Sequence, residues 1–377
     1  MFKAMDPTGD LEVSISTPLT LNPAFEAMPF SIHSFAMKDL RESSIHPVHL
    51  AGVVKGDPPR IGLMVPANAL GSIEHDEAEK PYFQQYAYMA IRLALADLLA
   101  KSPGILEDHL DGSEPLLFSD LFHDNICFLV VSESTLSEVP NFGLDRILPS
   151  LIKYGYVPAG ACKPADLEWI GAPPESQKIK VSLVSEDVEN SNIVAKLLTL
   201  SATSSPSLLT QFFYLYQVFE YLMESVMRHR LPLVVQEMID SLQNGTASAR
   251  DQFDLLGDEI REKGRLKLLM EKYSDCSSSL REFGVAASDF LDARGIKSNQ
   301  GIEAVYKVRN FLFHQARDLP SHDDPLLANV VEAFSQFLPS LLESYKHPSA
   351  QAPVSADSPD PGGVSAAAPA TASDLGG

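Results

Sequence analysis

Near the end of the chain, Arg309-Asn310-Phe311-Leu312-Phe313-His314 sets a permanent cation, an amide and a titratable imidazole within two helical turns. An imidazole, with an ordinary pKa of roughly 6.5, can take a proton from a ribose 2′-hydroxyl or give one to a departing 5′-oxygen. A guanidinium can neutralise charge building on phosphorus through paired N–H donors. Asn310, one turn before His314, can orient the imidazole or hold the phosphate. This division of labour suits RNA cleavage and needs neither a metal ion nor a cofactor. An Arg and a His five apart also recur by chance, and a helical His is often merely structural or exposed.

These residues must sit on a helix to act together. With Ile302 to Arg317 wound at about 100° per residue, Glu303, Lys307, Asn310, His314 and Arg317 share one polar stripe. Ala304, Val305, Val308, Phe311 and Leu312 form the opposite apolar face, with Tyr306, Arg309 and Phe313 along a flank. Arg309 and His314 then point about 140° apart, but the long arginine stem can reach round the helix edge. Lys307 and Arg317 are candidate RNA-binding residues. The rings of Tyr306 and Phe313 could stack on a base, form dimer contacts, or simply pack into the core.

The run Val305-Tyr306-Lys307-Val308-Arg309-Asn310-Phe311-Leu312-Phe313-His314 resembles the R-N-x-x-x-H signature of HEPN domains, a helical nucleotide-binding fold. The aromatic-rich stretch Thr210 to Glu224 is similar to the opening helix of such domains, so the resemblance covers about residues 205 to 345. It implies a metal-independent endoribonuclease leaving 2′,3′-cyclic phosphate and 5′-hydroxyl ends, with Arg309, Asn310 and His314 as catalytic residues. It also implies a homodimer through the helical domain, with the two motifs facing each other across the interface. Some members place an acidic group near the Arg and His, which makes Glu220 a candidate helper; an exposed or arginine-paired residue is the plainer alternative. Glu224 is weaker. Some HEPN toxins carry, two residues after the His, a Tyr that a partner modifies; that position is Ala316 here, so this control is not expected, and other antitoxins stay open.

Composition frames the rest. The 377-residue chain is 45% hydrophobic, enough for two cores, and its mean hydropathy of -0.02 fits a soluble globular protein. No apolar run can span a bilayer and the first residues are too polar for a secretory signal, so a cytoplasmic protein is expected. Cys127, Cys162 and Cys276 are too scattered for a disulfide framework or a CxxC pair and read as reduced thiols. The formal net charge of -21 argues against non-specific nucleic-acid binding, so an RNA site must be locally basic. Residues such as Glu74, Asp76, Glu77, Glu79, Asp108 and Asp111 concentrate acid early, while Arg261, Lys263, Arg265, Lys267, Lys272, Lys297 and Lys307 crowd the segment around the motif. Solvated helix faces are the bland alternative.

Residues 10 to 185 read as mixed α/β, with strands at 11–15, 48–54, 126–131 and 179–184 and helices at 81–100 and 144–154. Asp57-Pro58-Pro59 marks a turn between strands. Ser207 is placed as an N-cap, and helices follow at 208–228, 232–243, 250–272, 277–292, 299–316 and 324–345, divided by Pro232, Asn244-Gly245, Ser274, Gly295 and 320–325. The expected fold is α+β: a sensor or regulatory domain over 1–199, an all-helical HEPN-like bundle over 200–347 and a disordered tail over 348–377, rich in Ala, Pro, Ser and Gly.

Other features are weaker. His33, His46 and His49 lack a fixed set of further metal ligands, and Glu74-His75-Asp76-Glu77 reads as a solvated loop. Phosphate-binding loops, dinucleotide fingerprints, GxSxG elbows and HExxH are absent from the sequence. A toxin or antiviral effector whose first domain senses a trigger or binds an antitoxin is the leading expectation. A HEPN-fold nucleotide-binding or scaffold protein without turnover is the alternative, and a DNA-associated regulator is weakest.

Overall fold

A computed structural model of the chain describes residues 2–5, 12–51, 58–98, 116–137, 139, 141–171, 174, 177–203, 207–245, 248–299, 301–314 and 324–346. The chain is α+β, a sheet region followed by a largely helical half. In order, the first half holds β1 (Phe2–Met5), β2 (Glu12–Ser16), β3 (Phe30–Ala36), β4 (His46–Leu50), β5 (Arg60–Pro66), α1 (Pro81–Leu98), β6 (Leu116–Leu117), β7 (Ile126–Ser132), α2 (Glu133–Leu136), α3 (Leu144–Lys153), β8 (Val157–Pro158) and β9 (Ile179–Val181). Six strands form a mixed sheet in the order β8-β3-β7-β5-β4-β9, and β1, β2 and β6 form a smaller one.

Strand β7 is apolar from Ile126 to Val131 and is buried along its length, as a central strand covered on both faces should be. It pairs antiparallel with β3 and with β5. At Gly62 of β5 an added Cβ would sit 2.3 Å from the Val130 carbonyl oxygen, so the pairing with β7 requires glycine there. Sequence patterning found the regions of β2, β4, β7 and β9 but passed over β3 and β5. The apolar alternation of β3 slips between Ile32 and Phe35, and β5 is interrupted by Gly62 and closed by Pro66, so neither shows a clean period of two.

The second half holds α4 (Ser191–Thr203), α5 (Leu208–Gln243), α6 (Ala249–Ile260), α7 (Glu262–Glu271), α8 (Ser277–Asp292), α9 (Ile302–His314) and α10 (Pro325–Ser344). The Ser207 side chain accepts a hydrogen bond from the Thr210 N–H and caps α5. Asn244 and Gly245, the latter at φ +66°, make the turn that ends it.

Two helix boundaries differ from expectation. Pro232 does not divide 208–243: α5 runs through it as one helix about 54 Å long. The lost N–H costs one backbone bond, and side-chain pairing of Arg230 with Glu237, at 2.9 and 3.1 Å, braces the turns on either side. Conversely, 250–272 is not one helix. Arg261 adopts an extended conformation (φ -61°, ψ 143°) and splits α6 from α7.

Residue 200 falls inside α4, which packs against both α3 and α5. The Ser185 N–H donates to the Leu342 carbonyl at 2.9 Å. One continuous apolar core therefore runs from the sheet into the helices. At its helical end, Phe219, Phe283 and Phe334 bring α5, α8 and α10 together, with ring centroids 4.4 Å apart for Phe283 and Phe334 and 4.7 Å for Phe219 and Phe334. Residues 348–377, Arg317, Ala316, Asp108 and Asp111 lie outside the described residues.

Candidate active site

Helix α9 lies where its sequence directs it. Ala304, Val305, Val308, Phe311 and Leu312 are its buried residues, the apolar face read from the wheel. Phe311 meets Phe290 of α8 edge-on at 5.6 Å. The entry to α9 is fixed by close packing: a Cβ on Gly284 of α8 would fall 2.6 Å from the Gly301 nitrogen. Gly301, at φ +76°, occupies the left-handed region just before the helix.

On the outer edge of α9 the three motif side chains come together. Arg309 Nη1 donates to Asn310 Oδ1 at 3.2 Å and lies 3.4 Å from His314 Nε2. Arginine is a donor only, so Nε2 of a neutral His314 is the accepting nitrogen in this contact. His314 is exposed, whereas the Arg309 side chain is 16% exposed. The long stem thus closes the angle that the wheel leaves between the two residues.

Arg309 is also gripped from two other helices. Glu220 Oε1 of α5 lies 3.8 Å from its Nη2, and Glu262 Oε1 of α7 lies 3.0 Å from its Nε. Among the described residues Arg309 Nε has no aligned hydrogen-bond partner, so the second approach is off the N–H direction and is an ion pair rather than a hydrogen bond. The guanidinium stacks over the Phe313 ring at 4.5 Å, with Tyr216 at 5.8 Å. The Tyr216 hydroxyl donates to Glu262 Oε1 at 2.7 Å. Burial, and then this hydrogen bond to a carboxylate, push the Tyr216 phenol well above its ordinary range.

No family model, curated protein or solved structure matches this chain. The chemistry of the site therefore rests on its own geometry.

Of the residues named from sequence, Arg309, Asn310, His314 and Glu220 converge. Lys307 belongs to the same stripe but is engaged locally, 2.9 Å from Glu303 and donating to the Lys297 carbonyl at 2.8 Å. Tyr306 packs against the core, the plainest of its three readings, and Phe313 is 42% exposed while its ring centroid lies 4.3 Å from that of Phe213. Glu224 is exposed.

Nothing in the sequence pattern marks Glu262 or Tyr216 as a site residue. Glu262 lies in the basic run Arg261-Glu262-Lys263, and no local period links it to α9; the pattern of 250–272 reads as continuous, so the helix start at Glu262 shows only in the structure. Away from the site, the Nδ1 atoms of His46 and His49 face separate backbone carbonyls, of Gln177 at 3.3 Å and Pro58 at 2.9 Å. The three cysteines are free thiols, and burial pushes that of Cys127 far up. Among the described residues no helix is long and apolar enough to cross a membrane.

Proposed function

We propose that the chain is a metal-independent endoribonuclease. A ribose 2′-oxygen attacks the adjacent phosphorus, forming the 2′-O–P bond as the P–O5′ bond breaks, and leaves a 2′,3′-cyclic phosphate and a 5′-hydroxyl. His314 takes the 2′-hydroxyl proton or returns one to the 5′-oxygen, Arg309 carries the charge on the phosphoryl oxygens, and Asn310 holds the guanidinium or the phosphate. The observation that supports this most is the 3.4 Å approach of Arg309 Nη1 to His314 Nε2 on an accessible helix edge. One phosphate can meet both groups there.

The resemblance to HEPN domains extends the reading. It favours a cytoplasmic homodimer with a composite cleft, acting as a toxin or antiviral effector whose first half senses a trigger or binds an antitoxin. This wider role rests on the R-N-x-x-x-H resemblance alone.

A second reading has its own support. Glu262 and Glu220 both approach Arg309, so the guanidinium charge is already balanced by carboxylates. A nucleotide-binding or scaffold protein without turnover would use Arg309 in this way.

The two readings separate on incubation of total RNA in EDTA with wild type and His314→Ala. Cleavage by wild type alone, with cyclic phosphate and 5′-hydroxyl ends, supports the ribonuclease. Intact RNA in both samples, from folded protein with candidate triggers supplied, moves the assignment to the binding protein.

A further inference from the structure

The polar stripe of α9 continues beyond the motif. Seven residues before His314, about 10 Å along the helix axis, Lys307 borders a cavity of about 380 Å³ lined also by Asp292, Lys297, Ser298, Asn299 and Glu303. Three of the lining side chains form an ordered row. Lys307 Nζ lies 2.9 Å from Glu303 Oε1, and Asn299 Nδ2 donates to Glu303 Oε2 at 2.8 Å. From one end to the other the row reads donor, acceptor, acceptor, donor. Glu303 and Lys307 are 26% and 34% exposed, so a ligand edge can reach them. Ser298 Oγ, on the wall, is buried and has no hydrogen-bond partner among the described residues.

We propose that this cavity is a base subsite beside the scissile phosphate and that it selects guanine in single-stranded RNA. The proposal rests on the ribonuclease reading for its place in the reaction. Single-stranded RNA is read through the edges of splayed bases, and guanine presents O6, N1–H, N2–H and N3 in sequence: acceptor, donor, donor, acceptor. That is the complement of the row. The two guanine N–H groups take over the Glu303 oxygens, and Lys307 and Asn299 turn to O6 and N3. Adenine, cytosine and uracil each lack two adjacent donors flanked by acceptors. Lys297 and Lys307 on the lining offset Asp292 and Glu303, so the subsite lacks the strong negative charge with which the chain as a whole, at -21, would repel the flanking phosphates.

The test is fluorescence-anisotropy binding by the full-length His314→Ala protein to short oligouridines carrying one central G, A or C, or none. The G oligonucleotide is expected to bind roughly tenfold tighter than the others. Adding Glu303→Gln, or separately Asn299→Ala, should bring the ratio of G to A binding close to one with the circular-dichroism spectrum unchanged. Two changes are used so that a folding defect in either leaves the other informative. Equal affinity for all four oligonucleotides overturns the proposal, as does a G preference that survives both changes. Selective binding of G by a protein whose wild type cleaves no RNA keeps the subsite and rejects the ribonuclease. Cleavage by a wild type whose His314→Ala form binds all four oligonucleotides equally does the reverse.

Discussion

Glu262 Oε1 sits 3.0 Å from Arg309 Nε and 2.7 Å from the Tyr216 hydroxyl oxygen, so a single carboxylate oxygen ties α7 to both α9 and α5. The Glu262 side chain is 18% exposed and that of Arg309 16%, in contrast to 48% for Glu220. A shielded carboxylate holds the guanidinium more firmly than an exposed one, because water screens it less.

Glu262→Gln should therefore destabilise the fold by about 1–3 kcal/mol, since it leaves a shielded cation short of its partner. Glu220→Gln should change stability by less than about 0.5 kcal/mol. Denaturant unfolding of the two variants at one pH compares them. Equal effects, or the reverse order, would show that the Glu262 contact contributes nothing special.

Arg309→Lys keeps the charge but loses the planar fork and the stack on Phe313. Under the ribonuclease reading, cleavage falls roughly a hundredfold, the scale seen when one donor to a developing oxyanion is removed. Single-turnover rates on a defined RNA measure it. A rate within twofold of wild type would remove Arg309 from the chemistry.

Gly284→Ala forces a Cβ to within 2.6 Å of the Gly301 nitrogen and 2.7 Å of its Cα, both backbone atoms that cannot rotate away. The expected cost is about 1–3 kcal/mol, with a shifted start to α9 and, under the ribonuclease reading, weaker cleavage. At an uncrowded helix position the same change would stabilise by up to about 1 kcal/mol. Thermal melting gives the sign, and a gain in stability rules out the close approach.

His46 supplies a pH dependence. Burial, only partly offset by the contact with the Gln177 carbonyl, holds its imidazole below the usual 6.5. Between the lowered folded value and the unfolded one, the unfolded chain binds the proton more readily, so stability rises with pH through that window. The contribution is fully present above about 6.5 and is lost as pH falls through the folded value. Melting from pH 7.5 down to 5 should show a smaller fall in His46→Gln than in wild type; parallel curves would contradict this assignment.

Much of the site's local geometry was legible in the sequence, because it is set within a few turns of chain. The apolar face of α9, the N-cap at Ser207 and the turn at Asn244-Gly245 follow from side-chain periodicity, a hydroxyl able to take an orphan N–H, and a glycine free to adopt positive φ. The break at Arg261 and the passage of α5 through Pro232 were not legible. Local propensity there is weak beside the packing of the flanking helices, which the sequence does not display.

What the sequence by itself determined is the α+β class and which residues of α9 face outward together, since both follow from the repeat of apolar side chains along a single element. Only the tertiary structure decided that Glu220 and Glu262 meet on Arg309, and that β3 and β5 flank β7. Those partners lie 47 to 102 positions apart. Their meeting is selected by shape and charge across packed surfaces, through chain closures that no local period encodes.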